Sequence, residues 1–181
     1  MAAKARVFGH VEGWPVYSTF PSKELLAQAG IHAQRMAGIH GDIKDGAFSI
    51  CLSEGYEDNV DNGTTITYVG SGGQDENGEQ VADQSFDHPP NQALLVSSVT
   101  KRPVRVVRGK SSTSYYSPKK GYRYDGLYVV DEAAMVIGKK GFRMCTFKLR
   151  RIEEEGVGPI PSRRLLDANK LFKMSKRARK N

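Results

Sequence analysis

The residues best suited to chemistry lie together in SEGYEDNVDNGTTITYVGSGGQ, residues 53–74. Tyr56 and Tyr68 stand at the two ends of an acidic, glycine-containing loop and a short strand. Behind them comes GSGG, Gly70 to Gly73, with little side chain to keep a ligand at a distance. Two aromatic faces can clamp a flat ring while carboxylate or amide groups read its edge. The same residues also suit a plain hairpin with two surface tyrosines, and the stretch alone leaves both readings open.

Catalytic patterns are missing from the sequence. His10, His32, His40 and His88 form no HExxH pair and have no metal-ligand spacing with cysteine. There is no GxSxG elbow, no Walker loop, no strand-GxGxxG-helix fingerprint and no zinc-deaminase pattern. Glu57, Asp58 and Asp61 could act as acid and base, but solvated loop acids are far commoner. The expectation is a protein that is not an enzyme and needs neither cofactor nor metal.

The elements that must position the two tyrosines are mostly strands. TTITYV is rich in β-branched and aromatic residues, and AFSICLS is apolar enough to be buried on both faces. PVRVVRG alternates apolar and basic residues, which predicts Arg105 and Arg108 facing outwards. YRYDGLYVVDEA and GFRMCTFKLRRI read as two more strands joined by a turn at Gly138 to Gly141. Residues 5–18 read as a strand and a tight connection anchored by Trp14 and Val16. PSKELLAQAG fits a short helix with Ser22 as N-cap and Gly30 as its stop. NQALLVSSV leans to helix, and the polar run 74–90 reads as a long loop. The sum is a mainly β or α+β domain, a curved sheet or open barrel with a few short helices.

Length and charge set the frame. The 181 residues, 39% of them hydrophobic, suit one domain with a tail. Glutamates and two prolines after Ile152 put the boundary near residue 155, leaving 156–181 as a basic tail able to form a helix. No apolar run approaches the ~20 residues of a membrane span and no signal-peptide core opens the chain, so a soluble, non-secreted protein without a membrane partner is expected. Cys51 and Cys145 sit in strand-like runs and read as buried free thiols. The formal charge of +7 resides in the tail, since residues 1–162 hold nineteen cations and nineteen acids. Within that neutral body, residues 101–123 carry eight cations and no acid, whereas residues 54–87 carry nine acids and no Lys or Arg. The first segment suits phosphate.

AGIHG, GYED, VDNG, TYVGSGG, PVRVVRG, YRYDGLYVV and FKLRR follow one another in this order. Together they resemble the SET- and RING-associated (SRA) domain, also called the YDG domain after a motif present here as Tyr124-Asp125-Gly126. The resemblance covers roughly residues 7–152. It implies a twisted, barrel-like, PUA-like fold and a non-catalytic reader that extrudes 5-methylcytosine from DNA into an aromatic pocket. The implied pocket is Gly55, Tyr56, Asp58, Asn59, Tyr68, Val69 and Ser71, with Met36 as the thumb that fills the gap left in the duplex. Arg35, Arg105, Arg108, Lys110, Lys119 and Lys120 are the candidate phosphate contacts. The implied partner is double-stranded DNA containing modified cytosine, in the nucleus, with a chromatin protein as a further candidate partner.

Three positions depart from the family pattern. Asn59 stands where the best-known animal members have the aspartate that reads the cytosine amine; its carbonyl could accept from that amine, or Asp58 could substitute. The finger loop is NGEQVA, residues 77–82, without the expected arginine, which argues against strong CpG selectivity. His32-Ala33-Gln34 replaces HRP, leaving Arg35 as the nearest cation. Two other functions remain open: a specificity module for a methylation-dependent nuclease or modifying enzyme on another chain, and a PUA-like RNA-binding or protein-interaction module without base flipping.

Overall fold

The structure is a computed structural model that describes residues 6–53, 58–111 and 113–163. Its strands are β1 (Thr19–Phe20), β2 (Ile39–Asp42), β3 (Gly46–Leu52), β4 (Val60–Asp61), β5 (Thr65–Val69), β6 (Val104–Gly109), β7 (Tyr122–Ile137) and β8 (Arg143–Arg151). They form one open sheet in the order β2-β3-β6-β7-β8-β5-β4, with β1 added on β7. β3 and β6 pair in parallel and the other pairs are antiparallel. The expected mainly β, twisted architecture with few helices is present, and the sheet remains unclosed.

Cover on both faces of the central strands explains their sequences. β3 lies between β2 and β6, and all seven of its residues are buried, as its unbroken apolar run requires. β6 is flanked by β3 and β7, and it too is buried throughout. Its alternation of apolar and basic residues therefore does not separate inside from outside: Arg105 is 0% and Arg108 1% exposed. The expectation that these arginines face solvent is corrected. Each instead keeps its charge inside the protein by hydrogen bonding.

Helix α1 (Lys23–Gln28) starts where Ser22 Oγ accepts from Leu25 N at 3.3 Å, and the chain turns off at Gly30 with φ 77°. Helix α2 (Pro89–Thr100) opens on two prolines and buries Asn91, Ala93, Leu94 and Ser97 against the sheet. One apolar cluster lies under α2 and includes Ile50, Tyr68, Tyr128 and Phe147; a second gathers Phe20, Leu26, Ile31 and Tyr124. Cys51 and Cys145 are buried free thiols, as expected.

Among the described residues, no strand precedes Thr19, so the early strand expected within residues 5–18 is corrected to turns with positive φ at Gly9, Gly13 and Tyr17. Val16 packs on the second cluster, while Trp14 rests on Phe20 at 4.9 Å and is 39% exposed. Three glycine- or proline-containing turns deny this segment a ladder, and Arg105 ties it down by donating to the carbonyls of Val7 and Gly9. At the other end, Ile160 enters the main core cluster and Arg163 N donates to Tyr115 O at 2.8 Å, so packing on the body continues past residue 155. The rest of the basic tail lies outside the described residues.

Candidate functional site

The site is built on the β4–β5 hairpin. Tyr68 lies on β5, paired with Phe147 of β8, and is only 4% exposed. It is not a surface tyrosine. Its hydroxyl points at Gly38, where an added Cβ would stand 2.5 Å from the oxygen, so the glycine of AGIHG makes room for this ring. Gly55 and Tyr56, the other wall of the implied pocket, lie outside the described residues.

Asn59 precedes β4, and its Oδ1 accepts from Val69 N at 2.8 Å. The carbonyl oxygen expected to meet a base edge is thus engaged on the backbone and fixes the loop to β5. Asp58 leans on the β7–β8 turn: its Oδ1 accepts from Lys139 N at 3.4 Å, and its Oδ2 lies 2.9 Å from where Gly138 would carry a Cβ. It also lines a cavity of about 270 Å³ with Gln74, Gly78, Lys140, Phe142 and Met144.

Two amide side chains that the sequence reading missed hold the GSGG segment. Asn91 of α2 accepts from Ser71 N at 2.7 Å through Oδ1, and its Nδ2 donates to Ser71 O and Ser85 O, both at 2.9 Å. Gln84 donates to Gly70 O at 2.7 Å and Gly72 O at 3.2 Å, and accepts from Cys145 N at 3.0 Å. A Cβ on Gly70 would come within 2.9 Å of Asn91 Cγ. Gly70 therefore admits the protein's own amide, a role not anticipated from its place beside the tyrosines. The signal was present as uncharged amides, Asn91 in a helix and Gln84 in the loop before it, but only the fold shows what they face.

Below the hairpin lies a buried ion cluster. Arg108 grips Asp61 with two bonds, Nε to Oδ2 at 2.9 Å and Nη2 to Oδ1 at 2.7 Å, and donates from Nη2 to Gly63 O at 2.8 Å. Its Nη1 reaches Asp125 Oδ2 at 2.8 Å and Tyr128 OH at 3.2 Å. Asp125 in turn accepts from Arg123 at 2.5 and 2.9 Å. The aspartate of the YDG motif is thus an internal counter-ion. Burial alone would raise the Asp61 pKa, but the Arg108 guanidinium and the Ser114 hydroxyl hold its carboxyl below the usual value. Burial likewise works against charge on Arg108, and the two aspartates more than offset it. Arg105 is pulled down to about 10 by desolvation, while it donates to Ile31 O at 3.0 Å.

The remaining candidates are on the surface. Met36 is 92% exposed, a posture suited to a plug that enters another molecule. Arg35 is exposed and sits 3.7 Å from Glu24. Lys110, Lys119 and Lys120 are exposed, whereas Arg105 and Arg108 are corrected: with no exposed guanidinium, neither can reach a phosphate. In the finger, Asp75 Oδ1 accepts from Asn77 N and Glu79 N, both at 2.9 Å, and Glu79 pairs with Lys140. Among the described residues, no group of three or more His, Cys, Asp or Glu side chains is placed to hold a metal. No helix there is long and apolar enough to cross a membrane.

The open sheet with this hairpin is the SRA fold. A solved SUVH5 SRA domain, bound to fully hydroxymethylated CG DNA, superposes with a TM-score of 0.73 at 37% identity, covering 86% of this chain and 99% of that one. The modification-dependent restriction endonuclease TagI superposes at 0.79 with 43% identity, over 82% of this chain and 53% of that one. The family model described as the SAD/SRA domain matches residues 7–155, and the chain belongs to that family. A UHRF1-like protein of Cryptococcus neoformans is 39% identical over 88% of this chain, and the E3 ubiquitin-protein ligase UHRF1 of Xenopus tropicalis is 38% identical over 82%. The chain spans 50% of the first relative's length and 22% of the second's.

Proposed function

We propose that this domain reads modified cytosine in double-stranded DNA, turning the base out of the duplex to lie between Tyr68 and Tyr56. The observation that carries the reading is the likeness, over nearly the whole of its chain, to an SRA domain held on modified CG DNA. Stacking contributes ~1–3 kcal/mol per base face, enough to offset the few kcal/mol needed to unstack and unpair a base. Asp58, Val69 and Ser71 would border the ring. Asn59 would act first by fixing the hairpin through Val69 N, and would read the base edge only if that bond opened. Met36 would occupy the vacated space in the stack. Lys110, Lys119, Lys120 and Arg35 would hold phosphates, without the help of Arg105 and Arg108. The domain would work without catalysis of its own, in the nucleus, alongside a chromatin partner.

The test is equilibrium binding to matched duplexes carrying cytosine, 5-methylcytosine or 5-hydroxymethylcytosine, in CpG and other contexts, across a range of salt. A preference for a modified duplex that disappears in Tyr56→Ala supports the reading; equal affinity for all duplexes overturns it. A second reading, the specificity module of a nuclease, is favoured by the likeness to TagI. It predicts magnesium-dependent cleavage of modified DNA only when a nuclease partner is supplied.

A further inference from the structure

We propose that the outer edge of β7, residues 132–137, is a pairing surface for a second copy of this chain. The two edges would add antiparallel about a two-fold axis at Met135. The inference is independent of the base-reading proposal.

β7 runs on past the strands on one side of it. β6 pairs with it only as far as Tyr128, opposite Val104, and β1 only at Tyr122 and Arg123. On the other side β8 continues to Ile137, opposite Arg143. Among the described residues, no strand pairs with the outer edge of β7 beyond Tyr128. Such an edge offers unpaired N–H and C=O groups to another strand, and proteins commonly guard it with Lys, Pro or a bulge. Here a bulge between Val130 and Glu132 guards the start, where Lys101 Nζ also donates to Val130 O at 2.9 Å and Asp131 O at 2.8 Å. From Glu132 to Ile137 the sequence is EAAMVI, without Lys, Arg or Pro.

Apolar side chains stand uncovered at the same place. Ala133 packs on the main core cluster. Met135 and Ile137 follow it on that face by strand alternation, and they are 41% and 68% exposed. Val136, on the opposite face, is 41% exposed. A second strand laid along this edge would cover all three.

The sequence of the edge selects a second copy as that strand. A two-fold axis perpendicular to the sheet keeps like faces together, so each residue lies opposite one of the same face. An axis at Ala134 would set Glu132 against Val136 and Asp131 against Ile137. An axis at Val136 would pair only residues 135–137 before the turn at Gly138. An axis at Met135 pairs residues 133–137, sets Met135 on itself and places Ile137 against Ala133. It also brings the exposed Lys139 opposite the exposed Asp131 of the second copy, at both ends of the contact. Apolar residues then meet apolar residues and each acid meets a cation, the pairings that stabilise neighbouring strands. A contact of one short strand falls below the ~1,200–2,000 Å² of a standard interface, so association in the range of roughly 10 µM to 1 mM is expected.

The test is sedimentation equilibrium of the full chain without DNA across that range. The wild type should rise in mass from monomer towards dimer. Met135→Lys sets two cations face to face on the axis and should stay monomeric with an unchanged melting temperature. Lys139→Glu and Asp131→Lys each set like charges opposite one another and should weaken self-association about tenfold. Their equimolar mixture should recover a dimer with one copy of each, because every facing pair is then an acid on a cation. That recovery depends on the register and would not follow from a change in stability. A wild type that stays monomeric at the top of the range overturns the proposal. So does a dimer that Met135→Lys leaves intact, or a mixture that associates no better than either variant alone. A monomer whose amides at 132–137 are protected only by an added apolar peptide overturns it in favour of a foreign strand.

Discussion

Tyr68, Met36 and the exposed lysines make different kinds of contribution, and substitution separates them. Tyr68 is both a wall of the proposed cage and a core residue, so Tyr68→Ala should cost about 3–5 kcal/mol of stability, as large-to-small core changes do, besides abolishing base preference. Chemical denaturation measures the first effect and duplex titration the second. Met36 is nearly free of the protein, so Met36→Ala should leave the melting temperature unchanged and weaken binding to the modified duplex. A melting temperature that falls along with affinity would instead make Met36 an ordinary packing residue. Each of Lys110, Lys119 and Lys120 that touches phosphate should reduce the salt slope of binding by about 0.9 when changed to alanine. Arg105→Ala and Arg108→Ala should behave differently: they remove buried, hydrogen-bonded cations and should appear first as loss of folded protein.

At the scale of elements, α2 and the finger hold what the sheet cannot. α2 has no apolar stripe of its own strength, yet Asn91 on its buried side supplies three hydrogen bonds to two loop segments. Asn91→Ala would leave Ser71 N and Ser71 O short of a partner, at about 1–3 kcal/mol for each buried group left unsatisfied. The expected result is a lower melting temperature, with hydrogen exchange accelerated at residues 70–73 before the strands are affected. The finger is strapped to the β7–β8 turn by Glu79 with Lys140 and by Asp83 with Arg143. An acid occupies the place expected of a base-reading cation, and its partner comes from the neighbouring hairpin.

Across the whole molecule, pH acts through two buried histidines. His32 is pushed down to about 3, chiefly by burial, and bonds Ser49 Oγ at 2.8 Å and Ala37 O at 3.0 Å. His40 is pushed down to about 4 by burial and by the charge of Arg105. Both remain neutral in the folded chain at pH values where the unfolded chain takes up protons. Stability is therefore complete above about pH 6.5 and is lost progressively as pH falls towards 4 and then 3, since the unfolded state binds more protons in that window. Denaturant midpoints at pH 7.5, 6 and 5 (roughly spanning the histidine range) should decline in that order. A flat series would contradict the neutral assignment. Thiol titration of the native protein should be slow at neutral pH, because burial raises both Cys51 and Cys145 to about 11.

The sequence by itself determined the five longer strands, the Ser22-capped helix and the order of motifs that places the chain in its family. These are properties of local periodicity and of short-range chemistry: β-branched runs, a serine before a helix, glycines at turns. It also marked Tyr68 and the GSGG segment as the centre of the candidate site. Tertiary structure alone decided which charges are surface charges. Arg105 and Arg108 occupy the same alternating pattern as solvated strand cations, and only the chain packed over the faces of β6, Val7, Gly9 and Ile31 on Arg105 and Asp61 and Gly63 on Arg108, makes them internal. Asn91, Gln84 and Asp125 become supports of the candidate site because residues far apart in the chain meet there, a pairing that no window of sequence contains. Gly38 shows the same division: its sequence asks only for flexibility, and the fold uses its missing side chain to admit the hydroxyl of Tyr68.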